Sequence, residues 1–221
     1  EAFKNVIVTG TIAGSDGKKM SKSLGNYTDS NILLDQYSAD ALRYLLMSSP
    51  LLNGEDFTLI DKDVSDIQRK LGTLWNSYSF FVMYANIDKW SSDDTKSATT
   101  GKNLLDKWIL SELNKLIKTV DENMEEYNLP GATKTIMDFI DQLSNWYIRR
   151  SRRRFWKSES DSDKQEAYQT LWTVLVEFSK LIAPFTPFVA DEIYRNLTDE
   201  ESVHLADYPV AKEDLIEEEI S

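Results

Sequence analysis

The sequence predicts a mainly α-helical protein, an antiparallel helical bundle preceded by a short segment of strand, loop and helix. Apolar residues recur at spacings of three and four in long stretches after residue 62, as they do on one face of a helix. β-Branched residues cluster near the start, before a turn rich in Gly and Ser. Hydrophobic residues make up 41% of the 221 residues, which is enough to bury a core and argues against disorder.

The first residues predict a strand, a turn and a loop. The stretch at residues 5–12 is short and rich in Val and Ile, which favours a strand. Residues 14–17 read Gly-Ser-Asp-Gly, which is typical of a turn. We expect residues 18–20 to pair back as a second short strand, so that the residues after them form the tip of a loop.

Two short helices are expected next. Asp29 or Ser30 can cap the first, and Ser38 can cap a second that stops before Pro50. Residues 51–62 have the character of a connector.

The long helices follow that connector. Their apolar stripes bury one face each, and packing those faces together in an antiparallel bundle is the simplest solution. A polar loop rich in Ser, Asp and Thr is expected at residues 91–100, and the acidic tail at 212–221 is expected to fray. The predicted helical stripes run through residues 64–82, 105–127, 136–147, 167–182 and, in a shorter helix, 189–197.

Composition excludes several classes of protein and site. The chain contains no Cys, hence neither a disulfide nor a thiolate metal site, and the single His204 cannot build a His-rich site. We see no signal peptide and no apolar run of roughly 18 residues, so we expect a soluble cytoplasmic protein without a membrane anchor. The net charge of −12 opposes nonspecific nucleic-acid binding, so RNA binding would need a local basic patch. The start at Glu1 rather than Met suggests a piece of something longer.

The most informative stretch is residues 17–26, which we call the lysine loop. It reads Gly-Lys-Lys-Met-Ser-Lys-Ser-Leu-Gly-Asn. Lysine is a compact cation on a flexible stem, glycine lets the backbone turn, and serine supplies a hydroxyl for phosphate or backbone. Together they suit a mobile loop that closes over a polyphosphate. An arbitrary basic pentapeptide would more often be a set of solvated surface lysines.

The loop resembles a known signature. Residues 19–23 are identical to the Lys-Met-Ser-Lys-Ser signature of class I aminoacyl-tRNA synthetases. Within that class the chain is similar to the isoleucine enzymes, with the valine, leucine and methionine enzymes as runners-up. The further segments that carry the resemblance, in the same order along the chain, are residues 39–44, 144–156, 183–188 with 191–194, and 202–205 with Pro209.

The resemblance implies a division of the chain and a reaction. Residues 1–55 would end the catalytic region, residues 56–200 would form the anticodon-binding bundle, and residues 201–221 would begin a C-terminal segment. The whole enzyme would use ATP and Mg²⁺ to convert isoleucine to its adenylate and transfer it to tRNA(Ile), working as a monomer. The family's two-histidine ATP signature, its Rossmann core, its amino-acid pocket and its editing domain are missing. We therefore expect this piece alone to catalyse no ATP–pyrophosphate exchange and to hold no metal.

The resemblance also assigns roles within the loop. Lys22 would be the principal phosphate contact and Lys19 would assist it, so these two are the catalytic candidates. Gly25 and Asn26 would form the hinge where the loop rejoins the helices. The implied ATP-binding residues are Lys19, Met20, Ser21, Lys22 and Ser23, with Met20 and Ser21 lying near the adenine.

A second candidate site is a helix rich in arginine. Six cations lie between residues 149 and 157. On a helical wheel of about 100° per residue, all of them except Arg152 share a face, which nearly continues the apolar face of Phe139, Leu143 and Trp146. They could contact the tRNA backbone, or they could pair with carboxylates of this acidic chain or of the catalytic domain. The cations are Arg149, Arg150, Arg152, Arg153, Arg154 and Lys157, with no acidic residue among residues 143–157.

Several single residues carry weaker expectations. Trp90, beside the polar loop, is expected to be the most exposed tryptophan and a candidate for stacking on RNA, while the other five tryptophans are expected in the core. Arg43 and His204 are expected to serve local structure and packing, and the neighbouring Asp191 and Glu192 to be solvated.

Two other classes of function compete with an enzyme piece. The chain could be a self-standing RNA-binding module, or a helical scaffold for other proteins. The lysine loop favours the enzyme piece, because a binding module has no need of a loop that contacts a leaving group. A titration with isoleucine tRNA separates the other two.

Overall fold

The computed structural model describes residues 2–92, 103–157 and 162–217. Most of the predicted polar loop at 91–100 and the last residues of the predicted frayed tail lie outside these ranges.

The described chain is mainly helical, as predicted, and its strands are short. β1 (Ile12–Ala13) and β2 (Phe57–Thr58) pair in parallel, with Ile12 opposite Phe57. A π-helix (Gln142–Ile148) lies between α6 and α7, and 3₁₀ turns occur at Pro50–Asn53, Val203–Leu205 and Glu213–Leu215. The α-helices in chain order are α1 (Ser30–Gln36), α2 (Ala39–Ser48), α3 (Asp61–Asp88), α4 (Leu104–Glu125), α5 (Leu129–Lys134), α6 (Ile136–Asp141), α7 (Arg149–Trp156), α8 (Ser162–Ile182) and α9 (Pro187–Thr198).

The core confirms the bundle prediction. Its largest cluster of buried side chains joins the long helices, with Leu74 from α3, Ile109 from α4, Phe139 from α6, Phe178 from α8 and Ile193 from α9. The apolar stripes that predicted these helices therefore face one another, and their burial is the main favourable contribution to folding.

A smaller cluster packs the loop-bearing segment against the start of the bundle. It joins Leu33 of α1 and Ala41 of α2 to Val64 of α3. Ile12 and Met20 pack against the same cluster, so the first strand and the root of the lysine loop are seated on α2 and α3.

Helix α2 also binds the far end of the bundle through polar contacts. The buried carboxylate of Asp40 accepts hydrogen bonds from the backbone amides of Phe188 (3.2 Å) and Val189 (2.7 Å), at the N-terminus of α9. Burial raises the pKa of Asp40 above its usual range, against the opposing effect of these two amides. Arg43 donates to the carbonyl of Pro184, beyond the C-terminus of α8, at 3.0 Å. Arg43 thus serves tertiary rather than local structure.

The predicted caps are confirmed, and the expected second short strand is reduced to a single bridge. The Asp29 side chain accepts from the amide of Asn31, and the Ser38 hydroxyl accepts from the amide of Ala41, so Asp29 rather than Ser30 caps α1. Lys19 forms an antiparallel bridge with Ala13, as expected for residues 18–20.

The predicted strand over residues 5–12 is wrong for most of its length. Among residues 2–13, strand pairing is limited to Ile12 and Ala13, and Val6 is 65% exposed. The β-branched sequence has the propensity for a strand, but a strand forms only where a neighbouring strand supplies hydrogen bonds. In the described residues β2 is too short to supply them beyond Ile12.

Candidate functional site

The lysine loop leaves β1 and returns to α1 as a closed turn. The amide of Gly14 donates to the carbonyl of Lys18 at 2.9 Å, and the amide of Gly17 donates to the carbonyl of Gly14 at 2.9 Å. Gly17 has a positive φ of 73°, a conformation that glycine adopts without steric cost. These contacts form the base from which the signature residues project.

Asn26 ties the two arms of the loop together. Its Oδ1 accepts from the amide of Ser21 at 3.0 Å. Its Nδ2 donates to the carboxylate of Asp16 at 2.9 Å and to the carbonyls of Lys18 and Lys19 at 3.3 Å each. Asn26 therefore bonds to both arms of the loop in this structure, and the expectation that it forms a hinge with Gly25 stays a prediction.

The signature residues alternate between solvent and protein. Lys19, Lys22 and Ser23 are exposed, whereas Met20 and Ser21 are half-buried. Within the described parts of the chain, neither Lys19 nor Lys22 is held in an ion pair. The hydroxyls of Ser21 and Ser23 lie 2.8 Å apart. The arrangement presents two ammonium groups to any anion that approaches this end of the molecule.

The structure divides the arginine helix into two groups. Arg149, Arg150, Arg152 and Arg153 are exposed on α7. Arg154 is buried, with only 7% of its surface exposed, so the prediction that it shares the basic face is wrong.

The π-helix rotates the whole of α7 relative to the apolar face of α6, so Arg150 and Arg153 turn outward, whereas Arg154 stays beside the inward stripe. Its hydrogen bonds run from i to i+5, so each turn holds more residues than an α-turn and each residue turns through less than 100°. After Gln142–Ile148 the inward stripe is therefore shifted, and it runs through Tyr147, Ser151 and Phe155. Trp146, predicted to continue the apolar face, turns outward and is 52% exposed.

Arg154 belongs to a buried polar network between α4, α7 and α8. Its Nη1 and Nη2 contact the two oxygens of Asp106 at 2.6 and 2.7 Å, and Asp106 is fully buried. Tyr147 donates to the same carboxylate at 2.7 Å, and Arg154 also pairs with Asp163 at 2.9 Å. Burial alone would lower the pKa of Arg154, but its bonds to Asp106 hold that pKa above the ordinary value.

Lys157 is tied to the chain as well. Its ammonium lies 3.4 Å from a carboxylate oxygen of Asp163, and its carbonyl accepts from the buried ammonium of Lys164 at 2.7 Å. Lys164 also pairs with Asp88, which accepts a hydrogen bond from Tyr168. Ion pairs within the chain thus account for Arg154 and Lys157, whereas the exposed Arg150 and Arg152 lie over the rings of Trp146 and Phe80.

The tryptophan predictions were largely reversed. Trp90 is half-buried, stacked on Tyr168 at 5.7 Å and edge-on to Phe81, because these rings complete the core at the end of α3. Trp146 and Trp156 are more than half exposed, and Trp75 is 40% exposed.

One exposed tryptophan forms part of a cavity that the sequence reasoning missed. The guanidinium of Arg150 lies over the ring of Trp146, 4.2 Å from its centre. The pair borders a surface cavity of about 490 Å³ that Trp108, Glu112 and Gln142 also line. The signal was the i,i+4 spacing of Trp146 and Arg150, which places the two side chains together on a helix.

The remaining single residues play structural parts. Asp191 accepts from the hydroxyl of Ser202 (2.6 Å) and the amide of Val203 (2.8 Å), so it is not simply solvated, whereas Glu192 is exposed. These two bonds lower the pKa of Asp191 despite the opposing effect of burial. The side chain of His204 is exposed, and its amide donates to Ser202.

The described residues hold neither a metal-binding cluster nor a membrane-spanning helix. In the ranges the structure describes, no group of three or more His, Cys, Asp or Glu side chains could hold a metal ion. None of the described helices combines the length and apolar character that crossing a bilayer requires.

Comparison with protein families matches both ends of the chain. Residues 106–221, just over half of the chain, match the anticodon-binding domain of tRNA ligase. Residues 1–58 match the class I tRNA synthetases for I, L, M and V.

Comparison with individual proteins agrees with those matches. The chain is 50% identical to isoleucine–tRNA ligase of Dehalococcoides mccartyi strain CBDB1 over 226 aligned positions, which cover 99% of this chain and 22% of that protein. It is 47% identical to isoleucine–tRNA ligase of Treponema denticola, with coverage of 94% and 20%. The chain thus spans about a fifth of the length of these relatives.

Solved structures share the fold. A LeuRS of Agrobacterium radiobacter K84, in a ternary complex with tRNA and LeuAMS, superposes with a TM-score of 0.71 at 20% identity, covering 95% of this chain and 24% of that one. Methionyl-tRNA synthetase of Mycobacterium tuberculosis, in complex with methionyl-adenylate, gives 0.65 at 23% identity, covering 84% and 36%. With the two family matches in their expected order, the chain belongs to the class I tRNA synthetases and carries their anticodon-binding domain.

Proposed function

We propose that this chain is part of an isoleucine–tRNA ligase, which activates isoleucine with ATP and transfers it to tRNA(Ile) in the cytoplasm as a monomer. In that enzyme residues 1–55 end the catalytic region, residues 56–200 form the anticodon-binding bundle, and residues 201–221 begin the C-terminal segment. The observation that carries the proposal is the signature loop itself, in which Lys19 and Lys22 present unpaired ammonium groups above a fixed base.

The loop acts on the leaving group. In the activation step the isoleucine carboxylate attacks the α-phosphate of ATP, the new carbon–oxygen–phosphorus link forms, and pyrophosphate leaves with the electron pair. Negative charge grows on the departing phosphates, so the ammonium groups of Lys22 and Lys19 lower the barrier if they bind that charge more tightly than they bind ATP. The hydroxyls of Ser21 and Ser23 are placed to accept or donate hydrogen bonds beside them.

Mg²⁺ would accompany ATP in such an enzyme and neutralise phosphate charge. Among the described residues, no group of three or more acidic, His or Cys side chains could hold this ion.

The bundle supplies a surface for tRNA. The four exposed arginines of α7 form a cationic patch on a chain of net charge −12, and guanidinium groups bind phosphates through two parallel hydrogen bonds. Trp146 takes the stacking role that the sequence suggested for Trp90, because its ring is exposed and already carries Arg150 on one face. The buried Arg154 and the paired Lys157 support α7 from beneath.

Reversing the charge of one patch residue tests this assignment. The Arg153→Glu variant is expected to weaken binding of tRNA(Ile), because one phosphate contact is lost and a repulsion is added. The slope of log Kd against log salt concentration is expected to fall by about one to two. Fluorescence anisotropy titrations at several salt concentrations measure both quantities. Arg69→Glu is the matched control, because Arg69 is exposed on α3 and its replacement changes the charge by the same amount. Equal salt slopes for the two variants and the native chain would reject the patch.

Titration with tRNAs for valine, leucine and methionine tests the choice of isoleucine. The proposal expects tRNA(Ile) to bind most tightly.

A further inference from the structure

We propose that Asn26 is a positioning residue, which together with Asp16 holds the lysine loop in the conformation that presents Lys22 to the phosphates. This inference rests on the proposed function of the loop. It assigns a role to a side chain whose hydrogen bonds within the described residues are all to the loop and to Asp16 beside it.

The carboxamide of Asn26 bonds to both arms of the loop at once. Its oxygen accepts from the amide of Ser21, the residue that precedes Lys22. Its nitrogen donates to Asp16 and to the carbonyls of Lys18 and Lys19, on the arm that leads into the signature. A single side chain thereby joins the incoming arm to the tip.

The backbone of Asn26 is fixed as well. A Cβ added to Gly14 would lie 2.0 Å from the carbonyl oxygen of Asn26, so the two backbones are in close contact. The Asp16 carboxylate is itself oriented by the Lys18 amide, which donates to it at 3.0 Å. The hydrogen bond from Asn26, and then that amide, lower the pKa of Asp16, which keeps it an acceptor.

Only a side chain that both accepts and donates can satisfy this arrangement. A carboxylate at position 26 has an oxygen that could accept from the Ser21 amide, but its second oxygen would face the Asp16 carboxylate and two carbonyls. That repulsion is expected to drive the side chain out of this position and to free the Ser21 amide. A loop that is already closed by Asn26 loses less conformational entropy when it binds the phosphates.

The test is a swap of the two partners in the full-length protein. Asn26→Asp is expected to lower kcat for isoleucine-dependent ATP–pyrophosphate exchange about 10- to 100-fold, the effect of one lost charge-assisted hydrogen bond. The KM for isoleucine is expected to stay within about twofold, because the loop does not bind the amino acid. The double variant Asp16→Asn with Asn26→Asp restores a donor opposite an acceptor and is expected to recover part of the loss, because the carbonyls of Lys18 and Lys19 still face a carboxylate.

Asn31→Asp is the matched control, because Asn31 also donates to an aspartate, Asp29, but at the start of α1. Its kcat is expected to stay within about threefold of native. If Asn26→Asp behaves like this control, or if the double variant recovers none of the loss, the positioning role is overturned.

Hydrogen exchange separates this inference from the function beneath it. Asn26→Asp is expected to speed exchange at the Ser21 amide, and the double variant to slow it again; unchanged exchange would overturn the role of Asn26 whatever the lysines do. If Lys22→Ala leaves pyrophosphate exchange intact while the Ser21 amide responds as expected, the proposed function fails and the positioning of the loop stands.

Discussion

Replacement of Lys22 with Ala in the full-length protein lowers the rate of isoleucine-dependent ATP–pyrophosphate exchange at least about 100-fold, if its ammonium group binds the departing pyrophosphate. Loss of one preorganised contact to a developing negative charge costs roughly 3–4 kcal/mol in comparable cases. The ammonium of Lys22 is exposed at the tip of a loop whose base is closed by Asn26, so its removal should leave the loop in place. Pyrophosphate exchange measures the activation step without the transfer to tRNA.

Lys18→Ala is the control for this prediction. Lys18 is equally exposed and lies in the same loop, but it precedes the signature residues and bonds through its backbone to Gly14. Its removal is expected to change the rate by less than about fivefold. A Lys22→Ala rate within a few-fold of the native rate would contradict the phosphate role.

Replacement of Asp106 with Ala should produce the largest loss of stability of any substitution considered. Breaking a buried ion pair from one side costs about 3–5 kcal/mol, because the partner charge remains buried without compensation. Here the change leaves Arg154 with Asp163 alone and removes the acceptor of the Tyr147 hydroxyl, both at the junction of α4, α7 and α8. Urea unfolding of the native chain and the variant, followed by circular dichroism, measures the free energy of unfolding.

Asp66→Ala provides the comparison. Asp66 pairs with Arg69 one turn away on α3, where 45% of the Asp66 side chain and 76% of the Arg69 side chain are exposed. Such surface pairs contribute about 0–1 kcal/mol, so a small change is expected. A loss at Asp106 as small as the loss at Asp66 would show that the buried network does not hold α7 in place.

Local sequence patterns were sufficient to predict the long helices and the caps of α1 and α2, but not the short helix α5. The stripe of Leu74, Tyr78 and their neighbours recurs at helical spacing, and the same residues line the core. Asp29 and Ser38 were recognisable as caps because each precedes an apolar stripe by the spacing that a capping bond requires. Both signals depend on neighbours within one turn, which is the information that a sequence displays directly.

The sequence did not show which face of the arginine helix is buried, because the helical spacing of apolar residues does not predict a π-helix. A wheel of constant pitch assumes an unbroken α-helix, and the π-helix at Gln142–Ile148 changes the pitch in the middle of the segment. One signal was nevertheless present. Asp106 precedes Ile109, Leu110 and Leu113 by helical spacing, so it lies on the apolar stripe of α4, and a carboxylate there needs a buried cation. The arginine it pairs with is 48 positions away.

The first strand shows the opposite limit. Val6, Ile7 and Val8 have strand propensity but lie exposed, because propensity becomes structure only where a partner strand is present. The loop residues were identified by resemblance, whereas the role of Asn26 as a bond between the two arms became visible only in three dimensions.

The most direct test of the account is charging of tRNA(Ile) by the full-length protein after the two signature lysines, Lys19 and Lys22, are replaced with Ala. The account predicts that aminoacylation falls by more than about 100-fold while the Kd for tRNA(Ile) stays within about threefold, because the loop acts on pyrophosphate and the bundle binds the tRNA. Charging at a rate close to native would contradict it.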